Sequence, residues 1–294
     1  IGDYFSDFFI KGWELDADAW LPVEYTDAGQ FLKPQRLDLV CKLFYIECME
    51  KQQKQNLARR LYAEHIRAFS EGTYTEPGTA EKNSLHRYLE CFDALIADVK
   101  KCGVDAGKSV IPVGADGSIL DGSHRVAIAM YYHQKIPVVH LHGISRTYDY
   151  RFFQSRGIHS GALRDMAYLY LVYDRDSYVA CLWPKAREYR KRRVCEEMFQ
   201  RQGSIVYQER KRVSYREFFQ WMMELYGGQE WTGSQTDGYP GLKKKAKACY
   251  LRGSSTDIYV ITGGTLEERR QLKQRIRELF GIGNHSIHMT DTKG

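Results

Sequence analysis

The chain has 294 residues, of which 43% are hydrophobic and 27% charged, an ordinary globular composition with room for about two domains. A net charge of +6 suits phosphorylated ligands, but it falls below what is typical of nucleic-acid-binding domains, so nucleic acid is not the expected partner. No apolar run reaches the roughly 18 residues that a membrane span needs. Seven widely spaced cysteines without a C-x-x-C pair favour free thiols in a reducing compartment, and hence a cytoplasmic protein.

The first part of the chain is predicted to be mainly helical. Residues 1–30 are aromatic and irregular, apart from a short strand at 21–25. Helical spacing of apolar residues covers 36–51, 56–69 and 84–101, and the Gly-, Pro- and Thr-rich residues 70–83 are predicted to form a loop. The first residue is Ile1 rather than Met, which is consistent with a fragment of a longer protein.

The next segment, residues 110–142, is the most informative part of the sequence. A strand at 110–113 is followed by an Asp-Gly turn and a return strand at 118–120. The five residues Asp-Gly-Ser-His-Arg at 121–125, here called the 121–125 turn, then lead into an apolar helix at 126–133 and a strand at 135–142. A tight turn between a strand and a helix is a common setting for phosphate binding.

The second half of the chain alternates strands and helices. Polar, arginine-rich residues 143–161 separate the halves, and we place the boundary so that the domains are 1–150 and 151–294. Capping boxes at Ser214 and Thr265 mark two helix starts. The pattern predicts a second, smaller α/β domain. Its predicted strands are 177–183, 204–209, 257–262 and 286–289, and its predicted helices are 186–200, 214–226, 241–250 and 266–280.

Each residue of the 121–125 turn has chemistry that suits a phosphate. The first N–H groups of a helix lack intrahelical acceptors and lie at the positive end of its dipole, and Gly122 would let a phosphate approach them. Ser123 and Arg125 offer donors to phosphate oxygens, and His124 can donate or transfer a proton near neutral pH. Asp121 could orient His124, hold magnesium or act as a base. An equally open interpretation is a structural turn in which Asp121 pairs with Arg125.

Residues 85–141 resemble the core of the ParB/sulfiredoxin superfamily, which includes ParB partition proteins, sulfiredoxin and free-serine kinases. The resemblance rests on LIADVKKCGVD, VIPV, ADGSIL, DGSHRVAIAM and KIPVVHL. The D-G-S-H-R form is closest to the D-G-H-H-R of the kinase branch and lacks the G-E-R-R of the partition proteins. Ser123 stands where sulfiredoxin has its cysteine, which argues against reduction of sulfinic acids.

This resemblance implies a ParB/sulfiredoxin-like nucleotide-binding domain with a helical insertion. It implies that residues 122–125, namely Gly122, Ser123, His124 and Arg125, hold the phosphates of ATP or ADP with Mg²⁺. In the kinase branch an upstream glutamate acts as base, and Glu24 is the candidate here, beside Asp121 and His124. The leading hypothesis is an ATP- or ADP-dependent kinase acting on a small hydroxylated molecule. A sugar or polysaccharide precursor is suggested because the arrangement is similar to uncharacterised proteins of surface-polysaccharide loci.

Two other functions were weighed against the kinase. A nucleotide-gated, ParB-like binding module could contact DNA or a protein partner through the basic second half. A nuclease ranks last, because the sequence offers no carboxylate cluster for two metal ions.

Several residues outside the turn are further candidates. Arg36 could reach a ligand phosphate, while Asp38 and Lys42, four residues apart on a helix, could simply pair. His140 and His142 share one face of a strand but lack an evident third metal ligand. The Gly-rich loop 227–241 could close over a sugar or phosphate ligand, or it could be an exposed connector.

Overall fold

The computed structural model describes residues 2, 4, 5, 7–76 and 81–290. It divides into two compact units, Ile1–Tyr173 and Asp174–Gly294, each of which is a mixture of helices and one small sheet. The mixed α/β class is therefore confirmed. Part of the predicted 70–83 loop, residues 77–80, lies outside the described residues; the described remainder contains no helix or strand.

The first unit places its helices around a three-stranded sheet. Strands β2 and β3 are parallel and joined by α5, while β1 pairs antiparallel with β3, in the order β1-β3-β2. The described elements are α1 (Asp7–Gly12), β1 (Glu24–Asp27), α2 (Asp38–Glu50), α3 (Gln55–Phe69), α4 (Leu85–Cys102), β2 (Ile111–Val113), α5 (Ser123–Tyr131), β3 (Lys135–His140), α6 (Tyr150–Ser155) and α7 (Ser160–Tyr173).

Helix α5 lies at the centre of this unit. Its residues 126–129 are fully buried, and α2 and α4 pack against it. Helix α2 is itself buried over most of its surface, so the start of α5 and the start of α2 are both held by the core. The fold thus fixes the 121–125 turn from two sides.

Three expectations about this unit need correction. The predicted boundary at residue 150 is too early, because α6 and α7 pack against α3 and α2 of the first unit. The irregular region 1–30 contains α1, whose Phe9 and Ile10 pack on the buried pair Val110 and Val139. The predicted return strand at 118–120 is reduced to a single bridge between Val113 and Ile119.

The second unit is an antiparallel four-stranded sheet with helices. The strand order is β5-β6-β4-β7, and every neighbouring pair is antiparallel. Both predicted capping boxes are present, at Ser214 and Thr265. No helix in the described ranges is long and apolar enough to cross a membrane. The elements are β4 (Ser177–Leu182), α8 (Tyr189–Gln202), β5 (Ser204–Arg212), α9 (Tyr215–Tyr226), α10 (Pro240–Cys249), β6 (Ser255–Thr262), α11 (Leu266–Phe280) and β7 (Ile287–Met289).

Candidate functional site

The 121–125 turn forms the N-terminus of helix α5, and Gly122 lies directly before the first residue of the helix. Gly122 has a φ of 77°, in the left-handed region that side chains disfavour. A Cβ at this position would lie 2.5 Å from Cδ1 of Ile111 and 3.0 Å from Nη2 of Arg125. Backbone conformation and close packing therefore both require glycine, which leaves the N–H groups of the helix start open to a ligand.

All five turn residues line one cavity of about 430 Å³ in the first unit. This volume lies within the range of small-molecule and cofactor sites. Other parts of the wall come from the start of α2, the end of α3 and the region of α6. They include Arg36, Lys42, Phe69, Tyr148 and Phe152.

A buried ion triad lies in the wall of this cavity. Asp38 accepts two hydrogen bonds from Arg36, at 2.8 and 2.9 Å, and one from Nζ of Lys42 at 2.8 Å. All three side chains are at most 3% exposed. The two cations hold the pKa of Asp38 far below its usual range against the opposing effect of burial, so this carboxylate is ionised. The predicted Asp38–Lys42 pair is thus confirmed, with Arg36 as a third member.

The triad has two positive charges and one negative charge. Nη1 of Arg36 donates to the carbonyl of Ile119, and the guanidinium stacks on the Tyr148 ring, with its carbon 5.0 Å from the centroid. The Lys42 ammonium has three N–H donors, and within the described residues only Asp38 accepts from it. Burial lowers the pKa of Lys42, while Asp38 raises it. The excess charge therefore lies at Lys42, on the cavity wall.

Arg125 is a further cation of the cavity wall, and its donors are unused among the described residues. Its Nη2 is 3.7 Å from Oδ2 of Asp121, an ion pair beyond hydrogen-bond distance. None of its guanidinium N–H groups has an acceptor in the part of the chain that the structure describes. Burial lowers the pKa of Arg125, and Asp121 and Glu76 only partly oppose it. The Asp121–Arg125 pairing expected of a structural turn is present, yet it leaves the guanidinium fork available to an anion.

His124 contacts aromatic residues of α3 and α4. Its Nε2 is 2.8 Å from the hydroxyl of Tyr62, and its ring contacts Phe92 edge-on at 4.7 Å. Burial lowers the pKa of His124 well below its usual value, and the nearby cations Lys42 and Lys82 lower it further. His124 is therefore neutral at pH 7, so it suits hydrogen bonding through Nδ1 rather than a change of charge near neutrality.

The predicted magnesium site would rest on one carboxylate of the turn. Within the described residues no group of three His, Cys, Asp or Glu side chains could hold a metal ion. Magnesium usually binds through one or two carboxylates together with substrate phosphates, and Asp121 and Glu76 both line the cavity. The residues fit that mode of binding, in which Asp121 would hold the ion with the ligand.

Glu24 is not brought to this cavity. It lies on β1 opposite Val138 of β3, and its carboxylate is 3.8 Å from Nε2 of His140. The resemblance to the kinase branch suggested Glu24 as the base, but the fold places Glu24 on an exposed edge strand. His140 is thus paired with a carboxylate rather than with His142.

The aromatic wall was missed by sequence reasoning. Phe69, Tyr148 and Phe152 contact one another with centroid distances of 4.8 to 5.3 Å, and Arg156 lies over the Phe152 ring at 5.2 Å. Backbone hydrogen bonds from Leu37 to Tyr148 and from Tyr148 to Gln35 hold this wall next to the triad. Tyr148 and Phe152 lie within the arginine-rich stretch 143–161, whose sequence predicted a domain boundary. That stretch was the available signal for the wall.

Comparisons with known proteins add no further identification. A scan of protein-family models found no match, a search of curated proteins found no match, and a search of solved structures found no match. Function must therefore be argued from the cavity itself.

Proposed function

We propose that the first-unit cavity binds the phosphates of a nucleotide and that the protein is an ATP- or ADP-dependent kinase of a small hydroxylated molecule. The observation that carries the proposal is the excess positive charge of the buried triad beside the 121–125 turn. Burying an ion removes its solvation, and a bound anion would offset part of that penalty for the cation in excess. Lys42 and Arg125, both short of acceptors, supply the donors that a phosphate requires.

The residues divide between holding the nucleotide and handling the acceptor. Lys42, Arg125, the Ser123 hydroxyl and the first N–H groups of α5 would bind phosphate oxygens. Asp121, which lines the cavity and is 35% exposed, would take the proton of the acceptor hydroxyl as the hydroxyl oxygen bonds to the terminal phosphorus and the bond to the departing nucleotide breaks. Mg²⁺, when bound, would neutralise charge on the phosphates.

The aromatic wall supports a ligand with a flat ring. Phe69, Tyr148 and Phe152 line the same cavity as the turn, with ring centroids about 5 Å apart, so a base could stack on them while its phosphates reach the cations. The β2–α5–β3 unit with a glycine turn supports the ParB/sulfiredoxin-like architecture as the finer description of this fold. A sugar or polysaccharide precursor is the proposed acceptor.

One observation favours the alternative of a nucleotide-gated binding module. Residues 174–294 contain 23 Lys and Arg against 15 Asp and Glu, a net charge of +8, whereas residues 1–173 contain 20 against 22. The positive charge of the chain thus belongs to the second unit, and this is the charge distribution that contacts with DNA or an acidic protein would need. Loss of DNA affinity with rising salt would support the alternative, and absence of DNA binding at low salt would remove it.

The test of the proposed site is a thermal-shift screen of ATP, ADP, CTP and GTP with Mg²⁺. We expect a nucleotide-specific rise in melting temperature that Arg125→Ala reduces. Arg60→Ala, which removes an equally charged side chain exposed on α3, is the matched control and should respond like the wild type. Unchanged nucleotide affinity in Arg125→Ala would overturn the assignment of the site. Product analysis with hydroxylated acceptors then separates the kinase from the binding module, since only a kinase transfers the phosphoryl group.

A further inference from the structure

A cleft of about 950 Å³ lies in the second unit. It is lined by residues of α9, α10, α11 and β7, together with the Gly-rich loop that follows α9. That loop contains a short 3-10 helix, Glu230–Thr232. Its Trp231 lines the cleft, and 46% of the residue is exposed to solvent. This part of the 227–241 loop is thus the wall of a cleft.

The cleft is lined by four cations and one carboxylate, Glu224. The cations are Lys244, Lys245, Lys273 and Arg277. Across the described ranges, Lys244, Lys245 and Arg277 form no ion pair, and Lys245 donates to the backbone carbonyl of Asn284. Nε of Arg277 is buried and has no hydrogen-bond partner among the described residues. A buried donor without an acceptor is costly, so the wall is short of an anion.

The cations of this wall also affect one another. Burial lowers the pKa of Lys245, and Arg277 lowers it further, since two positive charges lie near each other. Burial and Lys245 likewise lower the pKa of His285. The surrounding unit carries a net charge of +8, which would attract an anion to the cleft from a distance.

We propose that this cleft binds the phosphate monoester group of a small molecule that also carries a ring. Lys245 and Arg277 would hold the phosphate, and Trp231 and Tyr226, whose rings are 5.5 Å apart, would contact the ring of the ligand. Partly buried cations without carboxylate partners suit a compact group of charge near −2. A nucleic-acid strand, with one charge on each phosphate, is instead bound by cations spread along a groove. The site is separate from the first-unit cavity and does not depend on the function proposed there.

The test is calorimetric titration of the full chain with inorganic phosphate, pyrophosphate, a 5′-nucleoside monophosphate and its unphosphorylated nucleoside. We expect the phosphate-bearing probes to bind, with affinity reduced about tenfold to a hundredfold by Lys245→Gln and by Arg277→Gln. Lys247→Gln removes the same charge from the exposed side of α10 and is the matched control. Arg125→Ala separates any contribution of the first cavity, because binding at the second cleft should survive it.

Three outcomes would overturn the proposal. The first is failure of every phosphate-bearing probe to bind at low salt. The second is equal affinity in Lys245→Gln, Arg277→Gln and Lys247→Gln, which would leave only diffuse charge. The third is binding of a single-stranded oligonucleotide without binding of the monophosphate, which would assign the cleft to a strand. Trp231→Phe should weaken binding of the nucleoside monophosphate but not binding of inorganic phosphate. This difference distinguishes loss of ring contact from misfolding.

Discussion

The buried triad makes opposite predictions for two substitutions. Asp38→Asn removes the negative charge of the triad and leaves Arg36 and Lys42 buried without that carboxylate. Lys42→Met removes the excess cation and leaves the Arg36–Asp38 pair, with its two hydrogen bonds, intact. The two variants therefore separate stability from ligand binding.

The expected magnitudes follow from burial. Breaking a buried ion pair by removing one partner costs about 3–5 kcal/mol, and the Asp38 side chain is 0% exposed. Lys42→Met replaces one buried ammonium with an apolar chain of similar length, so we expect a change within about 1 kcal/mol. Loss of one charge-assisted hydrogen bond to a phosphate is worth about 1.5–3 kcal/mol, so nucleotide affinity should fall about tenfold to a hundredfold in Lys42→Met.

Hydrogen exchange of α2 and α5 is the appropriate assay, because a chain of two units does not give a single free energy of unfolding. Asp38→Asn should lose protection in these helices, and pyrophosphate should restore part of it by supplying the missing anion. Lys42→Met should keep its protection and lose binding. If Lys42→Met binds nucleotide like the wild type, or if it is as unstable as Asp38→Asn, the excess charge is not what the cavity uses.

Three further predictions concern the two units. Gly122→Ala should both destabilise the first unit and abolish nucleotide binding, because its Cβ would clash with Ile111. Gly157→Ala has a similar φ of 68° but open space around it, so it should cost only backbone strain of about 1–2 kcal/mol, measured by hydrogen exchange. Equal losses of stability in the two variants would refute the clash. Burial, reinforced by Lys42, lowers the pKa of the fully buried His65 well below its usual value, so the unfolded chain binds a proton that the folded chain does not. His65 should accordingly contribute a fall in stability of about 1.4 kcal/mol per pH unit below pH 6.5, and His65→Leu should have a shallower pH dependence; an unchanged slope would show that His65 titrates normally. Asp257→Asn should lower the stability of the second unit by about 3–5 kcal/mol, measured by exchange of β5 and β6, since Asp257 is buried and accepts from Arg210 at 2.6 Å; normal protection there would contradict this.

Periodicity and capping residues were enough to predict most helices and strands. The helix predicted at 266–280 coincides with α11, because its apolar positions, capping box and terminal Gly281 all agree. Residues 160–173 were missed as a helix because the polar residues just before them suggested a boundary. The strand order β5-β6-β4-β7 depends on pairing between distant residues, and a single sequence does not contain that information.

The candidate site was predictable only in its local part. The 121–125 turn could be identified because glycine, helix start and phosphate-binding side chains are adjacent in sequence. The sequence indicated that Asp38 and Lys42 could pair, but it did not indicate that Arg36, which is bridged to Tyr148 more than 100 residues away, bonds the same carboxylate. The aromatic wall and the excess charge arise from tertiary packing, so the sequence did not indicate them.

The second unit contains a triad with the same charges, and comparing the two shows why only one is proposed as a site. Asp257 pairs with Arg192 at 2.9 Å and with Arg210 at 2.6 Å. Arg192 spends its other donors on backbone carbonyls, at 2.6 Å from Ala186 and 2.7 Å from Ser255, and Arg210 is 47% exposed to water. The extra charge of this triad is thus satisfied or solvated, whereas the Lys42 ammonium is buried at a cavity wall over the Phe69 ring, at 5.7 Å, with donors left over. Where the excess charge lies, and not how many charges are present, distinguishes a structural cluster from a binding site.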